Sequence, residues 1–498
     1  MRVFRQLAIL CFVAQGASVF PQPAQVTFKL RELQEVGLDL PDGIEASYSW
    51  ATSEHWVQVV PGFQTFMVAA HDLSTGRIDV ELEVQSPSKD WFAYYADVVA
   101  DRIYLFYYSY TKTGFILGGQ FIDPPVNSVS SLVIIDTIAS VFDRHVTPTY
   151  DQRPSVTMQA FDEGRVIHFC FQEEDAFVRS TKPKRSSVKS IICNADLTPQ
   201  ETYRYRMEGH FMPIHIVDIE LDADGTAHYL YGRSMKSTST GMKAFAVPDE
   251  GYVHLRMGPH GVEVDELVLP IDADIVFAKF AMSDQEVVGV VGLWTTNSSD
   301  LVDDGVTGYF SYKANAEVPA DDRTTIMTLD RALPNSISRA KVLHAANGKV
   351  FMVASTIDAK FSKAELDDLL IVAFDADLGQ DWDRTVSRSA PLIGRDVLPI
   401  FMLDDQLAIF LYDSGSNLAA ARAGRETQYD KEAPNVEYLL RISDRNEVTF
   451  ENIPKSGYRY FYPLLAVPYS SGRFVCRAWP EGTGWGKVSD DILEIQFE

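Results

Sequence analysis

Ile371-Val372-Ala373-Phe374-Asp375-Ala376-Asp377-Leu378 and Ile191-Ile192-Cys193-Asn194-Ala195-Asp196-Leu197 follow one design. Each is an apolar run that breaks at an acidic or Asn turn and ends on the same Ala-Asp-Leu. Runs of β-branched and aromatic residues bounded by turn formers read as buried strands. Their recurrence far apart in the chain reads as a structural repeat. Strong copies also stand at 66–72 and 132–136, and weaker ones at 244–247, 309–312, 438–442 and 492–497. Their spacing is roughly 55–65 residues, against ~40–50 in familiar propeller repeats, so long loops are expected. Hairpins precede most copies, as in 214–219, the turn Asp222-Ala223-Asp224-Gly225, and 228–231. Helical periodicity is missing; residues 362–368 read at most as a short helical turn within a loop.

Short antiparallel strands in groups of four, repeated along the chain, define an all-β protein built as a β-propeller, which leaves only short sheet edges exposed. The eight strand copies favour eight blades, with seven as the alternative. Tandem β-sandwiches are the competing architecture, since they share short strands and regular turns. The last unit runs out after its third strand, and residues 26–30 (Val26-Thr27-Phe28-Lys29-Leu30) are expected to supply the fourth. A single domain over 18–498 is then the economical division.

Ala70-His71-Asp72-Leu73-Ser74-Thr75-Gly76-Arg77 resembles the Ala-x-Asp-x-x-Thr-Gly-Lys-x-x-Trp motif of quinoprotein-like propellers. In that family the closing Trp docks between blades, and Val80 stands at its position here. Ala373-Phe374-Asp375 with Gly379 and Trp382 is similar to a second, degenerate copy. The Asp222–Gly225 turn followed by Tyr229, Tyr231 and Gly232 is similar to the Asp-x-x-Gly hairpins of secreted bacterial propellers. The resemblance implies the architecture and an exported bacterial setting, and it carries no activity. Quinone-dependent dehydrogenases commonly show adjacent cysteines and a calcium-ligating carboxylate set; the chain has no adjacent cysteine pair.

The N-terminus gives a matching address. Arg2 and Arg5 precede the apolar run 7–14, and small residues follow at Gly16, Ala17 and Ser18. This is the pattern of a secretory signal peptide over 1–17, far shorter than the roughly 20 residues that span a bilayer. A secreted, periplasmic or cell-envelope location is expected, with no membrane span. The 498 residues carry a formal charge of −25, with 46% hydrophobic and 23% charged residues. That composition excludes a disordered chain, and its acidity argues against nucleic acid as a partner.

Candidate chemistry is thin. No G-x-S-x-G, H-E-x-x-H or P-loop occurs. The densest polar set is His210, His215, Asp218, Glu220, Asp222, Asp224 and His228. Strand alternation places Asp218, Glu220 and Asp222 on one face. Together with Asp224 they form a candidate calcium site, against the alternative of a solvated hairpin with an Asp-Gly turn. Cys170 and Cys193 fall on neighbouring strands, either as a disulfide or as isolated buried thiols. Arg179, Lys182, Lys184, Arg185 and Lys189 make a basic loop that offers an anionic partner a surface, against the alternative of a mobile, internally balanced loop. Trp479 and Trp485 flank a Gly-rich loop suited to stacking on a sugar or anchoring a protein. The expected function is a non-enzymatic binding or scaffold protein presenting loops to a protein or glycan partner, with no cofactor beyond calcium. A polysaccharide-active hydrolase or lyase, and a structural module of a cell-envelope assembly, are the alternatives.

Overall fold

The computed structural model describes residues 26–31, 48–99, 101–111, 114–124, 128–139, 156–161, 166–174, 186–206, 215–232, 235–240, 243–248, 251–283, 286–296, 305–314, 318–319, 322–333, 336–358, 365–386, 390–391, 400–403, 405–414, 420, 435–452, 458–470, 473–480 and 491–497. Among them the protein is all-β. Seven antiparallel sheets have four strands, one has five, and a separate hairpin has two. In chain order the sheets cover residues 48–85, 91–139, 156–206, 215–267, 274–333, 336–391, 400–452 and 458–497. They are called sheets one to eight below. Within each sheet the strands follow chain order, and sheet eight takes Val26–Arg31 as its outer strand, paired with Asp491–Phe497. The two-stranded hairpin, Met235–Thr240 with Lys243–Pro248, is inserted between the second and third strands of sheet four. No helix among the described residues is long and apolar enough to cross a membrane.

Sheets one to seven pack face to face in succession, and sheet eight packs on sheet one. First strands touch first strands between sheets four and five, five and six, and six and seven, and sheet eight meets sheet one. The hydrophobic interior is accordingly a series of seams, one between each such pair. Val353, Leu369 and Ile371 of sheet six meet Ile409 and Leu440 of sheet seven. Trp56 and Leu73 of sheet one meet Val475 and Ile492 of sheet eight. Successive meanders packed in chain order are compatible with a propeller.

The recurring Ala-Asp-Leu now has a physical explanation. Leu197 and Leu378 stand in the left-handed region, at φ 66° and 59°, in turns that close by the same two backbone bonds. Leu378 N–H donates to Asp375 O at 3.0 Å and Asp375 N–H to Gly379 O at 2.9 Å; Leu197 and Asn194 repeat the pattern. A left-handed residue costs about 1–2 kcal/mol when it carries a Cβ, so the side chain must gain that back. It does so by entering the preceding sheet at a glycine. A Cβ on Gly289 would lie 2.5 Å from Leu378 Cδ1, and one on Gly119 would lie 2.5 Å from Leu197 Cδ1. In the first-to-second-strand turns at Gly225 and Gly348 the left-handed position holds glycine. Leu197 and Leu378 thus dock on the preceding sheet, while Trp382 docks on the following one, packed in the seam with sheet seven and donating Nε1–H to Asp444 O at 3.2 Å.

Two repeat copies belong elsewhere. Residues 132–136 enter Val133–Ala139, the fourth strand of sheet two, and 244–247 lie in the inserted hairpin. The third strands of sheets two and four are Gly114–Ile122 and Tyr252–Gly258. Of the expected helical turn, residues 365–368 open the strand Glu365–Phe374.

Candidate functional site

Among the described residues, one face of sheet four carries a dense set of polar side chains. In Tyr252–Gly258 the sequence alternates His254 and Arg256 with Val253, Leu255 and Met257. Register carries the alternation across the sheet. Glu220 pairs with His228, His228 with Arg256, and Arg256 with Glu263. One step along, Asp218 pairs with Leu230, Leu230 with His254, and His254 with Asp265. Residues directly opposite in an antiparallel pair share a face, so a grid of charged and imidazole groups points at sheet five.

Two aspartates of this face hold sheet five through its backbone. Asp218 is buried; its Oδ2 accepts the Phe280 N–H at 2.9 Å and its Oδ1 meets Lys279 Nζ at 3.1 Å. Asp222 Oδ1 accepts the Val287 N–H at 2.7 Å, and its Oδ2 lies 2.7 Å from His228 Nε2. Behind that pair, His228 Nδ1 sits 2.9 Å from His254 Nε2. A carboxylate oxygen accepts, so His228 Nε2 donates to Asp222 Oδ2, and the Nδ1–Nε2 contact joins the two imidazoles. His254 Nδ1 is buried and has no hydrogen-bond partner. Burial, with His228 and Arg256 close by, holds the His254 imidazole well below the usual histidine range.

Between the two aspartates sits Glu220. Burial, reinforced by the neighbouring Asp218 charge and opposed by Lys279, pushes its carboxyl up to about 7. Burial also raises Asp218, against the pull of Lys279. The face therefore sets a carboxyl that titrates near neutrality beside a half-buried ion pair.

Above this seam a cleft of about 660 Å³ opens among the turns of sheets four, five and six. Its polar lining includes Arg256, His260, Glu263, Glu286, Lys313 and Asp377. Arg256 Nη2 is shared by Asp265 Oδ2 at 2.7 Å and Glu263 Oε2 at 2.8 Å, while its buried Nε has no partner. Asp222 and His228 form part of the wall. The volume is in the range of small-ligand sites, with several polar groups converging.

Asp218, Glu220, Asp222 and His228 of the densest sequence cluster thus lie at the site. Asp218, Glu220 and Asp222 share a face, yet Asp218 and Asp222 are bound to sheet five. Asp224 accepts the Thr226 N–H at 2.8 Å in its own turn. No group of three or more His, Cys, Asp or Glu side chains among the described residues is placed to hold a metal ion. Cys170 and Cys193 are free thiols on paired strands. Cys170 faces Ser190 while Cys193 faces Ile167, an odd offset that sends them to opposite faces. Cys170 enters the seam with sheet four and Cys193 the seam with sheet two, so no disulfide can form. Trp479 falls in the strand Arg473–Pro480. Trp485, His210, Arg179, Lys182, Lys184, Arg185 and the expected leader 1–17 lie outside the described residues. The site residues that the sequence reading passed over are His254, Arg256, Lys279, Glu286 and Lys313. The polar alternation in 252–258 marks the first two; the others are supplied by sheet five, which only the fold brings near.

No known protein family matches the chain, and no curated protein matches it. Among solved structures, a prolyl endopeptidase aligns over 88% of this chain at 12% identity and a TM-score of 0.40. The chain spans about half of that protein, 54% of its length. The polysaccharide lyase Uly1 aligns over 82% of this chain and 90% of its own, at 10% identity and a TM-score of 0.37. An apocarotenoid oxygenase from Synechocystis aligns over 96% and 94%, at 10% identity and a TM-score of 0.34. Likeness at this level carries nothing about activity.

Proposed function

We propose that the chain is an exported eight-bladed β-propeller that binds a polar partner, a glycan or a protein segment, in the cleft above sheets four to six without transforming it. Eight consecutive meanders of at least four strands support the blade number. Completion of sheet eight by Val26–Arg31 supports a closed single domain. The observation that carries the binding reading is the closed relay Asp222–His228–His254. Both oxygens of Asp222 and both nitrogens of His228 are already bonded inside the fold. A general base must reach the proton it removes, and His228 has no nitrogen to offer. The cleft retains charged groups around this saturated wall, which suits recognition.

Glu220 favours one second reading. A carboxyl titrating near 7 beside a second carboxylate is the pattern of an acid–base pair acting on polysaccharide. Incubation with a panel of polysaccharides, read by reducing ends and by unsaturated uronate absorbance, alongside glycan-array binding, separates the two. Binding without turnover, weakened about tenfold by Lys313→Glu, is expected. Turnover that Glu220→Gln abolishes would replace the binding reading with the enzymatic one.

A further inference from the structure

The sheet edge opposite the cleft carries a different surface. The turn between His55–Pro61 and Thr65–Asp72 presents Phe63, which is 73% exposed. A single exposed apolar side chain needs no explanation; a ring fixed at the end of an aromatic cluster is another matter. The turn is fastened to three neighbours. Gly62 N–H donates to Thr65 O at 2.7 Å, Ser86 N–H to Gln64 O at 2.7 Å, and Ala93 N–H to Phe63 O at 3.2 Å. Gln64 Nε2 donates to Lys89 O at 2.5 Å. The ring meets Phe92 edge-on at 4.9 Å, and Phe92 stacks on Tyr108 at 5.5 Å. Tyr108 in turn meets Tyr110 at 5.2 Å and Tyr94 at 5.8 Å, both edge-on. Five rings therefore run outward from the seam between sheets two and three and end on one protruding, immobilised face.

We infer that this aromatic platform, centred on Phe63, is a second binding surface, for neutral polysaccharide. It stands independently of the cleft. Aromatic faces are electron-rich, and the weakly positive C–H face of a pyranose ring complements them. The net charge of −25 works against polyanionic glycans, and a phenyl ring offers no carboxylate to pair with a cationic one, so uncharged sugars are the class that suits this surface. Proline-rich peptides also seek aromatic surfaces, but they dock in grooves between rings. The Phe63 ring meets one aromatic neighbour, Phe92, edge-on, and otherwise projects, the geometry for a flat sugar face. Because the turn is already ordered, little conformational freedom remains to be lost on binding.

Native affinity electrophoresis through gels containing hydroxyethylcellulose, glucomannan or laminarin tests the proposal on the full chain. Retardation by at least one polymer is expected. Phe63→Ala should weaken it about tenfold at an unchanged melting temperature, and Phe63→Trp should retain it. The proposal is overturned if no polymer retards the wild type, or if Phe63→Ala binds as the wild type does. Binding of a decaproline peptide in place of every polysaccharide would also overturn it. Loss of cleft binding in Lys313→Glu with retardation intact would leave this surface standing.

Discussion

The two faces of sheet four solve the same packing problem by opposite means. Toward sheet three, Leu221, Ala227, Tyr229, Tyr231, Val253, Leu255 and Met257 close on Cys170 and Val188. Toward sheet five, the central positions are Asp218, Glu220, His228, His254 and Arg256, with apolar contact concentrated around Leu230, Tyr252 and Phe280. The first seam is held by burial that has no preferred direction. The second depends on individual hydrogen bonds, each costly if left unmade. Such a seam is a poor choice for stability alone, and the cleft opens directly above it. Polar cost and open space coincide.

Three substitutions sharpen or break this contrast. Tyr229→Ala, on the apolar face, should cost about 4 kcal/mol in urea denaturation, because a fully buried ring leaves a cavity. A loss under about 1 kcal/mol would mean that face is not the firmly packed one. Glu220→Gln should do the reverse on the polar face. Burial raises this carboxyl from 4.5 to about 7, so the folded state holds its proton more tightly than the unfolded chain. Stability is therefore full below about pH 4.5 and falls as pH rises through 7. Gln should restore on the order of 3 kcal/mol at pH 8 and change little at pH 4. Equal shifts at both pH values would break the assignment. Asp218→Asn keeps an acceptor for the Phe280 N–H but gives up the ion pair with Lys279. About 2 kcal/mol should be lost, and a double-mutant cycle with Lys279→Met should show coupling between the two. Additive effects would make Lys279 a bystander.

The apolar face was legible from local pattern, because Tyr229 and Tyr231 alternate within one short strand and their burial needs no partner to be named. The repeat was legible for a similar reason. The third strand is flanked on both sides and its turn docks on the preceding sheet, so both stay apolar and recur. The count of eight copies nevertheless rests on two offsetting exchanges: 132–136 stands in for Gly114–Ile122 in sheet two, and 244–247 for Tyr252–Gly258 in sheet four. Gly114–Ile122 was passed over because Gly118 and Gly119 interrupt its apolar run, and those glycines are there for Trp91 and Leu197. Ala244–Val247 was taken in because an inserted hairpin obeys the same alternation. At the site, carboxylate spacing announced a cluster but not its partners. Phe280 stands 62 residues from Asp218 and offers a backbone N–H, which leaves no trace in side-chain pattern. The same holds for Cys170 and Cys193, where an odd register offset decides against a bridge that strand adjacency suggested.

Pairing of Val26–Arg31 with Asp491–Phe497 sets a timetable. Sheets one to seven are each built from nearby segments, and their strands can find one another as the chain emerges. Sheet eight joins partners far apart in sequence, so Val26–Arg31 cannot pair until Asp491–Phe497 has been made. Until that meeting, the edge at 491–497 offers unpaired backbone to any passing strand. Closing that pair spans the longest loop of any pairing among the described strands, and the entropy of closure grows with loop length.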